Sequence, residues 1–163
     1  MSAKRRIERY LDKATLRMKR DGYDVDYDEQ YLGGTFNAVA IREQLVGQYR
    51  QTFVFVFGEF GRLTSRLLEE FIDGACDFAL ENRKPSMEPY GWTDELLILP
   101  VAMADKATDN AVDYVENVGV PSPAHRCNVM VVVFDADLDE TYFFNRPDRD
   151  AMAEAEQYVL LGE

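Results

Sequence analysis

The stretch FVFVFGEFGRLTSR, residues 53–66, places one carboxylate, Glu59, between two glycines at the end of an apolar run. Strand, glycine turn and helix start in that order raise the question of an anion site. Gly58 and Gly61 would let backbone N–H groups approach the ligand, and the helix N-terminus would favour its charge. Arg62 and Arg66 would assist. The spacing is only G-x-x-G, without the third glycine of a dinucleotide fingerprint or the lysine of a P-loop. Glu59 would also repel a phosphate, so the plainer reading is an ordinary strand–helix turn.

Two aspartate runs raise the question of metal. DVDYDE (24–29) and DADLDE (135–140) carry acids at every second position. A calcium loop needs glycine at its sixth position and glutamate at its twelfth. Counting from Asp24 gives Glu29 and Thr35, and from Asp135 gives Glu140 and Arg146. Both runs therefore read as solvated acidic turns, and no metal site is assigned. The single histidine, His125, stands two residues before Cys127. A Cys–His nucleophile needs a third group to orient the base, and the sequence offers none. Cys127 opens an apolar run and Cys76 lies in an apolar helical pattern, so both read as packing. No catalytic residue and no cofactor follows.

The elements that would position these groups are legible from periodicity. Residues 3–20 read as a helix with a narrow apolar stripe of Ile7, Tyr10, Leu11, Ala14 and Met18. Arg6, Arg9, Lys13, Arg17 and Arg20 fall on one flank, over ~21 Å at 1.5 Å per residue. Residues 35–45 and 49–57 read as a hairpin turning near Gly47. The run from Phe53 to Phe57 is apolar at every position and should be covered on both faces. A helix capped by Thr64 or Ser65 follows and must stop before Pro85. The loop SMEPYGW then carries Met87, Tyr90 and Trp92, large apolar side chains that either cover the edge of the core or form a contact surface. Strand 95–104, a short helix ending at Gly119, strand 128–135 and a return strand 140–145 come next. Pro147 opens a last helix through Tyr158.

This order predicts one α/β or α+β domain over 1–163, with a mixed sheet of about five strands and flanking helices. Strand–helix–strand crossovers imply parallel pairing in the middle, and the hairpins imply antiparallel edges. The helix–hairpin–strand–helix–strand order also resembles the core of restriction-endonuclease-like nucleases. That resemblance implies an acid and an Asp/Glu-x-Lys motif on adjacent strands. Here Glu59 is followed by Phe60 and Gly61, and Asp135-Ala136-Asp137 also lacks the lysine.

Charge is the strongest compositional signal. Thirty acids face eighteen bases, for a net charge of -12. Residues 1–21 form a basic amphipathic head of net +5 on an acidic body, 22–163, of net -17. The acid excess and scarcity of lysine resemble cytosolic proteins of salt-loving archaea. No apolar run approaches the ~18–20 residues that span a bilayer, and the basic start lacks the apolar stretch of a secretory signal. The expectation is a cytoplasmic protein without a membrane partner. Two functions compete. The first is a non-enzymatic protein-interaction or regulatory domain, binding a protein partner or further copies of itself. The second is a nucleic-acid-associated, endonuclease-like domain without an active site. Five phosphate contacts would give a salt slope of about -4 to -5. Binding would then fall by roughly six to seven orders of magnitude from 0.1 M to ~3 M salt, so the first reading ranks higher.

Overall fold

In the computed structural model, which describes residues 1–160, helix α1 (Ala3–Arg20) starts where the Ser2 hydroxyl accepts the Arg5 N–H at 3.2 Å. It buries Ile7, Tyr10, Ala14 and Met18. Arg17, Lys19 and Arg20 in its last turn favour the negative end of the helix dipole. Strands β1 (Asp24–Tyr31), β2 (Gly34–Val46) and β3 (Tyr49–Leu63) follow as an antiparallel meander. Thr64 then caps helix α2 (Ser65–Glu81), its hydroxyl accepting the Leu67 N–H at 3.2 Å. Strand β4 (Thr93–Ala107) lies parallel to β3. Helix α3 (Asp109–Asn117) crosses to strands β5 (Cys127–Val129) and β6 (Val132–Asp135), both parallel to β4. Strand β7 (Glu140–Phe143) returns antiparallel, and helix α4 (Arg149–Tyr158) closes the chain behind an Asp148 cap.

The strands form one mixed sheet in the order β1-β2-β3-β4-β6-β7, with β5 also paired to β4. The parallel middle and antiparallel edges agree with the sequence expectation. Seven strands replace the expected five, for two reasons. DVDYDE is part of edge strand β1 rather than a turn. The run 128–135 is divided in two. The offset between β4 and its neighbour is the same on both sides of the gap, Ile98 facing Val129 and Val101 facing Val132. The interruption falls opposite Pro100, which has no N–H to give the ladder.

Two apolar cores lie on either side of this sheet. On one, Phe53, Phe55 and Phe57 of β3 pack with α1 and α4. On the other, Val54 and Val56 pack with α2 and α3. The β3 run is thus covered on both faces, as its continuous apolar sequence requires. Both crossover helices lie on one face because successive right-handed crossovers in one direction must.

Candidate interaction surface

Docking of Ile7, Tyr10, Ala14 and Met18 leaves the remaining sides of α1 in solvent. Arg5, Arg9, Lys13 and Arg17, each four residues apart, are all exposed there. Among the described residues no base of α1 has a carboxylate within 4.0 Å. That is informative in a chain with twelve more acids than bases. Arg20 is exposed in the last turn, and Lys19 sits over the Tyr27 ring at 4.7 Å. The expected flank needs one correction. Arg6 is bound within the fold, its guanidinium donating to the Ala136 and Asp137 carbonyls at 2.7 and 3.2 Å. Arg5 takes its place in the outward row.

A groove of about 610 Å³ runs between α1, the end of β6, the β6–β7 turn and the end of α4. Arg6, Arg9, Lys13 and Arg17 line it, with Asp12 and Asp139 among them. Its floor is aromatic. Tyr10 stacks on Phe134 with ring centroids 4.2 Å apart, and Tyr158 stands beside them. All three rings are buried and show the groove little aromatic surface. The Tyr10 hydroxyl donates to the Val159 carbonyl, and burial pushes its pKa well above the usual phenol range. It therefore holds α1 to the end of α4 as a permanent donor.

The glycine segment has a different geometry from the expected turn. Gly58 and Gly61 lie inside β3, which continues to Leu63, and Gly58 faces Ala102 of β4 in register. A Cβ on Gly58 would come within 2.6 Å of the Phe71 ring. The glycine makes room for that ring and does not end the strand. Arg62 is likewise in β3, and Arg66 lies 3.9 Å from Glu70 on α2. The four residues of the expected anion site therefore form no loop around a helix N-terminus. Glu59 is exposed, and its N–H donates to the Asn37 side-chain oxygen at 2.9 Å. An amide thus stands on the adjacent strand, where a metal-dependent nuclease would need an acid.

The second aspartate run is also corrected. Asp135 is buried, and its carboxylate accepts the N–H groups of Asp137, Leu138 and Ala107 at 2.9, 3.1 and 3.2 Å. It shapes the β6–β7 turn from inside. No group of three or more His, Cys, Asp or Glu that could hold a metal occurs among the described residues. His125 is exposed beside Glu88 at 3.3 Å, while Cys127 is buried and its thiol is pushed up to about 11 by burial. The two do not form a nucleophile and base.

Tyr90 ends a short 3₁₀ turn, Glu88–Tyr90, and is 76% exposed, whereas Trp92 is half-buried. The Thr93 N–H donates to the Gln48 carbonyl at 2.8 Å, which brings this loop beside the β2–β3 turn and its exposed Leu45 and Val46. Sequence reasoning missed one cluster entirely. Glu154 of α4 accepts from the Tyr23 hydroxyl and pairs with Arg42 at 3.0 Å, and the Tyr158 hydroxyl donates to Asp21 at 2.9 Å. An acid on the inward side of a short amphipathic helix was the only local signal for it.

Among the described residues no helix is long and apolar enough to cross a membrane. Comparison with protein-family models, curated proteins and solved structures gives no match.

Proposed function

We propose that this protein is a non-enzymatic interaction domain that docks an acidic protein segment on the outward row of α1 and its groove. One observation carries the reading: among the described residues an exposed row of four bases has no acid within 4.0 Å, in a chain of net charge -12. A row of like charges at i, i+4 destabilises its own helix, so an external partner gives it a use.

A second reading, nucleic-acid association, draws on the endonuclease-like resemblance of the element order. It fits the groove less well. Asp12 and Asp139 stand among the bases and would repel a phosphate tract, whereas a protein segment carries both signs. The buried rings leave no platform on which bases could stack.

The two readings separate in one titration. An acidic, alanine-rich helical peptide and a DNA duplex are each titrated against the wild-type chain and the variant Arg9→Gln/Lys13→Gln/Arg17→Gln. Peptide binding that drops at least tenfold in the variant supports the proposal. Duplex binding tighter than peptide binding, with a log–log salt slope of about -3 to -4 for four phosphates, would replace it with the second reading.

A further inference from the structure

The opposite face of the molecule carries the mirror of the α1 row. On α2, Glu69, Asp73, Asp77 and Glu81 are also spaced four residues apart, and all four are exposed. Among the described residues none has a basic side chain within 4.0 Å; Arg66 pairs instead with Glu70. Each row has four charges over ~18 Å, at ~6 Å per step. Each is a row of self-repelling i, i+4 neighbours on its own helix.

Taking α1 as a protein-docking surface, we propose that its acidic partner is a second copy of this chain, seated through α2. Charge complementarity and equal spacing carry the inference. Rows at i±4 are inclined to the helix axis by the same angle in both helices, so they run parallel when the helices cross at about 50°. That is the commonest packing of helix on helix, and it sets Arg5, Arg9, Lys13 and Arg17 against four carboxylates. The rows lie on opposite faces of the sheet, α1 with the Phe53–Phe57 core and α2 with the Val54–Val56 core. The contact is therefore heterologous, and copies stack head to tail instead of closing a two-fold dimer. The net charge of -12 opposes association at long range. At ~0.1 M salt the screening length is ~10 Å, which damps that repulsion yet leaves charges in contact attractive; at 1 M it is ~3 Å.

Sedimentation equilibrium tests this, at the lowest salt where circular dichroism shows the folded chain. The wild type should form species heavier than one chain, with a dissociation constant that rises at least tenfold towards 1 M salt. Arg9→Glu/Lys13→Glu/Arg17→Glu alone and Glu69→Lys/Asp73→Lys/Asp77→Lys alone should each stay monomeric. Their mixture should associate, because every α1–α2 contact between them again joins opposite signs. A wild type that remains monomeric at every concentration overturns the inference, as does a mixture that fails to associate while both variants are folded. Either result leaves the docking reading standing if the acidic peptide still binds α1.

Discussion

Asp94 and Arg50 are 4% and 8% exposed, and their side chains meet in a two-pronged ion pair. Asp94 also accepts the Met87 N–H at 3.0 Å, and Arg50 donates to the Pro85 carbonyl at 2.9 Å. The pair thus fastens the start of the loop that carries Tyr90 to β3 and β4. Burial raises the Asp94 pKa, but the Arg50 and Met87 hydrogen bonds and the Arg50 charge outweigh it, and the carboxyl stays below the usual range. A depressed pKa contributes stability that is present above the unfolded value of ~3.9 and is lost as pH falls through the folded value. Asp94→Asn leaves a buried guanidinium with the more distant Glu43 carboxylate at 3.9 Å and should cost up to about 3–5 kcal/mol at neutral pH. In urea titrations the gap between wild type and variant should narrow as pH drops below ~4, where Asp94 of the unfolded chain takes up a proton before that of the folded chain does. A gap independent of pH would show that the carboxylate charge contributes nothing.

At the scale of elements, β3 is decided by its contact with α2. The sequence suggests that Gly58 ends the strand, yet pairing with β4 continues to Leu63. The Phe71 ring occupies the space a side chain would need. Gly58→Ala should therefore destabilise by about 1–3 kcal/mol through overpacking. Adding Phe71→Leu should make the double variant lose less than the two single losses combined, since the residues compete for one space. Additive losses in chemical denaturation would mean that Gly58 is retained for its backbone. Helix α4 shows the opposite balance. Its buried side includes Ala151, Ala155 and Glu154, and Tyr23, Arg42 and Asp21 fasten it by polar contacts.

Across the whole molecule the sheet separates charge. Helix α1 holds eight bases and two acids, whereas α2 and α3 on the other face hold eight acids and one base. Among the described residues Glu69, Asp73, Asp77 and Glu81 of the acidic face have no base within 4.0 Å, so dilution should weaken the fold. Thermal melts are expected to move upward as salt rises from ~0.1 M to ~1 M, as screening shortens from ~10 Å to ~3 Å. A melting temperature that stays flat or falls would remove the support for a high-salt setting.

The amino-acid sequence by itself determined α1, a cap at Thr64 or Ser65, the two-sided burial of Phe53–Phe57 and the parallel centre of the sheet. Each is written in a short window, as a period, a cap or an unbroken apolar run, and needs no distant partner to be read. The row on α1 was legible for the same reason. Tertiary structure alone decided the fate of residues whose partners arrive from elsewhere. Arg6 is held by carbonyls 130 and 131 residues away, and Glu154 by a hydroxyl 131 residues away. Gly58 depends on a ring from the next helix, and Pro100 splits a neighbouring strand instead of its own. Helical periodicity places charges in a row on their own helix, but crossover handedness chooses the face of the sheet. That choice put the acidic row on one side, and burial of the α1 stripe against Phe53, Phe55 and Phe57 put the basic row on the other.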